Sequence, residues 1–373
     1  MAGTFDPTFH RNRMLLGLLG RTGLHFDVRQ VPLWGERGDA VVAQPKLPLL
    51  LRLARALPRL AWRAASGPRP DVALVLYPGH FDVPVVKALS MLRGVPVVYD
   101  AFLSLHDTVV ADRRLRPERS LLGRLLRGVD FLATRSGDLV LADTPADAEF
   151  FARQGAVSMS RLRVLWVGAE ESLFHPREAA RPEPGLVLFY GTFIPLHGVP
   201  TIVRAASLLR SSGVRFRLIG RGQELEAVRA LVSRLELPNV ELAPPVPLSR
   251  LPEEIARAAV CLGIFGTSGK ALRVVPSKVF QCLAMGRPVV TGDTPAIRSA
   301  FASGEIVTTP PGDPEALAAA ILELVRDPAR AEGVARAGRA RFARDYSEAV
   351  LADRLRSFLS EAASRGSAPN GVG

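Results

Sequence analysis

Residues Ile264–Asp293 read IFGTSGKALRVVPSKVFQCLAMGRPVVTGD. An apolar run opens the stretch and passes into a loop carrying Lys270, Arg273 and Lys278. The pattern that follows predicts a short amphipathic helix over Val279–Met285, ended by Gly286, with Pro288, Val289 and Val290 leading into a strand. A cationic loop feeding a helix N-terminus suits an anion, because unpaired N–H groups and the helix dipole both favour negative charge there. Arginine dominates elsewhere; the lysines are Lys46, Lys87, Lys270 and Lys278, and two of them fall in this stretch. A lysine offers a compact point charge that suits a diphosphate. The alternative is an ordinary solvated loop.

Outward from that stretch, near-continuous apolar runs recur as strand candidates. They are Val72–Tyr77, Pro96–Asp100, Leu139–Asp143, Arg163–Val167, Leu186–Tyr190, Phe216–Gly220, Cys261–Phe265 and Pro288–Thr291. Runs of this kind belong to parallel strands covered on both faces. Helical patterns such as Ile202–Leu209 and Glu224–Leu235 alternate with them, which specifies doubly wound α/β sheets. At Pro176–Gly185, PREAARPEPG, hydrophobicity disappears and an interdomain linker is expected. The expected division is a first domain over 1–175, a linker over 176–185, a second domain over 186–345, a final helix over 346–361 crossing back to the first domain, and a disordered tail over 362–373.

With 373 residues the chain has room for two ordinary domains. Apolar residues make up 48% of it and aromatic ones only 6%, a globular and not a disordered composition. No apolar run reaches the ~20 residues that span a bilayer. Cys261 and Cys282 are too few for a disulfide framework and lack metal spacing, so buried thiols and a cytoplasmic setting are expected. A net charge of +12 favours anionic partners. Nucleic acid is set aside, because no recognition helix, zinc spacing or aromatic stacking motif accompanies the charge.

A short echo links the two halves. Gly3-Thr4-Phe5-Asp6-Pro7 recurs as Gly191-Thr192-Phe193-Ile194-Pro195, each ahead of a helical pattern. The second copy follows a strand, where a glycine turn faces ligand at the carboxyl end of a sheet. The first copy has no strand candidate before it, so a further apolar strand ahead of Met1 is expected in the natural product.

The segment PSKVFQCLAMGRPVV, Pro276–Val290, resembles the donor-site signature of family-4 glycosyltransferases, retaining enzymes of the GT-B fold. RVLWVGAEESLFHP, RLIGRGQELEAVRALV and TTPPGDPEALAAAILELVRDP resemble that family's entry into its second domain, its nucleotide-side strand and helix, and its late helices. The resemblance implies two Rossmann-like domains facing a cleft, with a nucleotide-diphosphate sugar as donor substrate held mainly by the C-terminal one. It places Gly191, Thr192, His197, Gly220, Gly222, Lys270, Ser277 and Gln281 around the donor. The family's paired glutamates, with seven residues between them, correspond here to Arg273 and Gln281, and its first-loop arginine and lysine to Thr192 and His197. Gln281 can still meet ribose hydroxyls, whereas Arg273 suits phosphate. The diphosphate-binding cations are thus expected at Lys270, Arg273 and Lys278.

The mechanism so implied asks little of side chains beyond fixed positive charge against the departing diphosphate, with Lys278 and Arg273 in that catalytic role. No Asp-x-Asp occurs in the chain, so no metal site and no cofactor beyond the donor are expected. Asp100, His106 and Asp107 are the acceptor-side candidates. His80 reads equally as a ligand or as a helix-start histidine bonded to backbone, and Thr144-Pro145 reads as a helix cap. Two basic stretches, Lys46–Pro70 and Arg113–Arg127, could dock on anionic lipid at the inner face of the membrane, which suits a glycan or lipid-linked acceptor. In the first, Arg52, Arg55, Arg59 and Arg63 share one helical face beside a stripe of Leu50, Leu53, Leu57 and Leu60, which could equally face the core. A sugar-nucleotide epimerase and a non-catalytic sugar-nucleotide binder remain as other classes.

Overall fold

The computed structural model describes residues 1–33, 46–177 and 181–367. The chain forms two compact units, Met1–Trp166 with Ala349–Gly373, and Val167–Glu348. In the first, β1 (Ala2–Gly3) and β2 (Arg29–Gln30) make a small parallel pair. Beside them β3 (Ala73–Val75), β4 (Val97–Asp100), β5 (Leu139–Ala142) and β6 (Leu162–Val164) form a parallel sheet in sequential order. All the residues of β3, β4 and β5 are buried, as their unbroken aliphatic runs require. Helices Asp82–Arg93, Leu121–Ser136 and Pro145–Gly155 connect them. Thr144 caps the last of these by accepting from the Asp147 N–H at 3.0 Å, with Pro145 in its first turn.

Helix Lys46–Ala65 settles one of the open readings. Leu53, Ala56 and Leu60 are buried and Leu57 is half-buried, while Arg52, Arg55, Arg59 and Arg63 are exposed. Its leucine stripe faces the core; Leu50 lies outside the described side chains. A cavity of about 690 Å³ opens beside β1, lined by Met1, Ala2, Phe26, Val72, Leu74 and Leu359 among others. The edge along it carries Leu24, Phe26 and Val28, all exposed.

The second unit is a six-stranded parallel sheet in the order β12-β11-β10-β7-β8-β9. Its strands are β7 (Leu186–Thr192), β8 (Arg215–Arg221), β9 (Val240–Ala243), β10 (Val260–Leu262), β11 (Val289–Gly292) and β12 (Val307–Thr309). The two strands without a counterpart in the sequence reading, β9 and β12, are the two edges. Edge strands are half wetted, so VELA and VTT lack the continuous apolar signature of the central four.

Two boundaries differ from expectation. The units divide after Trp166, ten residues before Pro176. Glu183, inside the stretch read as a linker, accepts from Arg257 Nε at 2.7 Å and Arg215 at 3.1 Å, which fastens it to the second unit. At the other end the final helix runs Glu348–Ser367, past the expected start of a frayed tail. Leu355, Leu359 and Ala362 are buried and Arg163 Nε meets Glu361 Oε2 at 2.9 Å, so this helix is held along its length.

Candidate functional site

The ends of β7, β8 and β10 meet at a turn built around glycine. Gly191 lies opposite Gly220 in the β7–β8 ladder. A Cβ on Gly220 would fall 2.0 Å from the Gly191 carbonyl oxygen, and one on Gly222 would fall 2.4 Å from that of Phe193. Neither glycine therefore has room for a side chain in the close packing of the turn. Gly198, at φ +64°, brings the turn against Phe265, whose N–H donates to the His197 carbonyl at 3.1 Å. The His197 ring is held by a short hydrogen bond from Nδ1 to the Thr192 carbonyl and stands edge-on to Phe189, 5.7 Å between centroids.

Helix Ser277–Ala284 points its first turn at this glycine. No side chain caps it and no acid lies in its first turn. Lys278, at its second position, is only 4% exposed. Its Nζ stands 4.0 Å from the centre of the Phe189 ring. It also lies 2.9 Å from where a Gly191 Cβ would be, with His197 Cε1 3.1 Å from the same point. Among the described residues this ammonium has no hydrogen-bond partner. Burial pulls its pKa down to about 7, slightly opposed by Cys282. A desolvated, unpartnered amine at an uncapped helix start has the chemistry to take an anion.

Around it, Tyr190 donates to Gln281 Oε1 at 2.8 Å and both are buried. Tyr190 and Phe189, the anchors of Gln281 and Lys278, were not singled out from sequence; the only signal was an aromatic pair at a strand end. Ser277 and Thr192 are half-buried beside these groups in sequence. Lys270 and Arg273 lie on the loop before the helix, Lys270 buried and Arg273 half-buried, with Arg273 Nη1 over Gly269. Of the three expected cations, Lys278 has its Nζ at the Gly191 turn, and Arg273 has its Nη1 at Gly269.

The acceptor-side candidates belong to the first unit, and two of them are structural. Asp100 is fully buried in an ion pair with Arg11, 2.8 Å apart. Arg11 Nε bridges both its carboxylate oxygens at 3.2 Å, and Arg11 Nη1 also donates to the Leu165 carbonyl at 3.0 Å. Asp100 is thus bound to Arg11 inside the core and is withdrawn as a group that steers an acceptor. Asp107 is buried in the short helical turn Asp107–Asp112. His106 remains half-exposed, its Nε2 3.3 Å from Arg127, with its pKa lowered by desolvation and by that arginine. His80 takes the bland reading, buried with Nε2 2.8 Å from the Leu103 carbonyl.

The residue that organises this region is Asp130, which sequence reading passed over. It accepts from Ser104 Oγ at 2.7 Å and from the Leu105 and His106 N–H groups at 3.0 and 2.9 Å. An acid between Val129 and Phe131 on an otherwise apolar and basic helix was the available signal.

Residues 184–327 match the family model described as Glycosyl transferases group 1. The likeness is to group 1 glycosyltransferases. The D-inositol 3-phosphate glycosyltransferase of Acidothermus cellulolyticus is 29% identical over 288 residues, 68% of this chain and 62% of that protein. The chain therefore spans less than two thirds of that relative's length. Among solved structures, the sucrose-phosphate synthase of Thermosynechococcus elongatus superposes with a TM-score of 0.71 at 18% identity, covering 92% of this chain and 86% of that one. Anabaena Alr3699/HepE in complex with UDP-glucose gives 0.66 at 20% identity, covering 85% and 84%. The fold is GT-B, two α/β units each built on a parallel sheet.

Proposed function

We propose that the chain is a retaining glycosyltransferase that moves a sugar from a nucleotide-diphosphate sugar to a hydroxyl of a glycan or lipid-linked acceptor. The observation that carries this reading is Lys278, buried and unpartnered beside Gly191 at an uncapped helix start, within the region that matches group 1 glycosyltransferases. Its ammonium takes the diphosphate and offsets the charge that grows on it as the sugar leaves. Gln281, oriented by Tyr190, takes the ribose. The UDP-glucose bound by HepE and the phosphorylated polyol in the name of the Acidothermus relative make UDP-hexoses and polyol phosphates the first panel to test. Titration of each sugar nucleotide together with a donor-hydrolysis assay tests the reading; binding without turnover on any acceptor favours the non-catalytic alternative, which the Arg273 and Gln281 substitutions keep in view.

Two further results follow from this assignment. Transfer proceeds without metal, so EDTA leaves the rate unchanged; loss of activity restored by a divalent ion contradicts this. Donor binding also takes up a proton. The Lys278 amine titrates near 7 when unpartnered, so it is already charged below that pH and affinity for UDP is flat there. Above it, binding must first protonate the amine, and affinity falls as pH rises. At pH 8, calorimetry in buffers of differing ionisation enthalpy is expected to show uptake approaching one proton per UDP, abolished in Lys278→Met.

No helix among the described residues is long and apolar enough to cross a membrane. The proposed setting is the cytoplasm, at the inner face of the membrane that carries the acceptor.

A further inference from the structure

Helix Leu121–Ser136 buries Gly123, Asp130, Ala133 and Thr134 and turns leucines outward. Leu121, Leu125 and Leu132 are 78%, 61% and 53% exposed. Their spacing places them on one narrow strip of the helix. Helix Asp82–Arg93, packed alongside, carries exposed Met91 and Leu92 in its last turn. Arg124, Arg127 and Arg135 are exposed on the leucine helix, and Arg114, Arg116 and Arg119 on the loop entering it. Glu118 is the exposed acid among them and meets Arg127 at 3.6 Å.

We propose that this face seats the protein on an anionic phospholipid bilayer. Singly scattered surface leucines are ordinary, but a ridge bordered by six arginines is not. An interfacial helix sinks its apolar strip among the acyl chains while its cations meet lipid phosphates. Nucleic acid matches the arginines but leaves the leucines wet. The other basic helix, Lys46–Ala65, spends its leucine stripe on the core. The buried side of the docking helix also holds Asp130, which fixes the Leu105 and His106 backbone. On the proposed function, the bilayer-facing surface and an acceptor-side segment thus share one rigid piece.

Flotation of the full chain with phosphatidylcholine vesicles, with and without phosphatidylglycerol, tests this. Binding is expected only with the anionic lipid and is expected to weaken as salt is raised. Leu125→Ser/Leu132→Ser and Arg116→Glu/Arg119→Glu should each lower it by about tenfold or more. Circular dichroism of both variants should match the parent, since every substituted side chain is exposed. Equal binding to neutral vesicles, no binding to either, or unchanged binding by both variants overturns the proposal. So does a concentration-dependent dimer that the leucine variant dissolves, because the ridge then serves a second copy of the chain. Glycosyl transfer is not read in these measurements, so failure of docking and failure of the enzymatic reading are separable.

Discussion

Lys278→Ala is expected to lower turnover by about a hundredfold or more, with the fold retained. One fixed donor aimed at developing charge is typically worth about 2.7–4 kcal/mol in a transition state, and each 1.36 kcal/mol is tenfold in rate. Lys278 meets the structural condition for a contribution of that size: its Nζ is buried, lies over Phe189, and has no partner among the described residues that already uses its charge. The loss should fall on kcat more than on KM, since charge builds on the diphosphate as the sugar departs. Arginine should not rescue it. The ammonium occupies space that only a glycine at 191 leaves open, 2.9 Å from a hypothetical Cβ, and a planar guanidinium does not fit there without displacing the turn. Rates near wild type for Lys278→Ala remove the residue from the mechanism.

The sign of the charge at that position distinguishes the two units. Gly3 and Gly191, the first residues of the repeated motif, lie at the carboxyl ends of β1 and β7 with φ of +156° and +146°. A Cβ on Gly191 would meet Lys278 Nζ; one on Gly3 would meet Asp82 Oδ2 at 3.1 Å. Asp82 is buried, and the Thr4 N–H donates to it at 2.7 Å. Burial pushes its pKa up to about 6 against the pull of those Thr4 bonds. On the proposed function, a carboxylate of the chain itself thus fills, in the first unit, the place that the donor's diphosphate takes in the second.

That comparison also marks what the sequence could and could not tell. The central strands and the glycine turn were legible, because buried parallel strands are strong local signals; the burial of Lys278 was not, since its Phe189 and Gly191 neighbours lie on β7. Asp100, Arg11 and Asp130 were misjudged or missed because their roles depend on distant partners, 89 positions apart for Arg11 and Asp100 and 25 for Asp130 and Leu105, separations that no periodicity encodes. The motif at Gly220 and Gly222 was visible, but the Gly191 and Phe193 carbonyls that pack against them come from the end of β7 and the residue after it, which the motif does not encode. The edge strands β9 and β12 escaped because half-wetted strands carry little pattern.

Arg11→Met is expected to destabilise the first unit by about 3–5 kcal/mol, the usual cost of removing one partner of a buried ion pair. The pair with Asp100 is almost wholly excluded from solvent. More than one acid depends on it. Asp143, close by, is pushed well above the ordinary carboxylate range by burial first and then by Asp147, while Arg11 pulls it back. Without the guanidinium, Asp100 is a buried charge with its counter-ion gone, and Asp143 is pushed further towards its neutral form. The Leu165 and Trp166 carbonyls, which Arg11 Nη1 meets at 3.0 and 3.3 Å, lose their donor as well. Urea unfolding at pH 7 measures the loss. It should narrow as pH falls, since Asp143, whose folded pKa is raised and which loses the pull of Arg11, regains stability on acidification. Arg11→Met/Asp100→Leu should recover much of the deficit, because exchanging both partners for apolar groups is often near neutral. A double variant no more stable than Arg11→Met would show instead that the carbonyl contacts, and not the ion pair, hold helix His10–Arg21 in place.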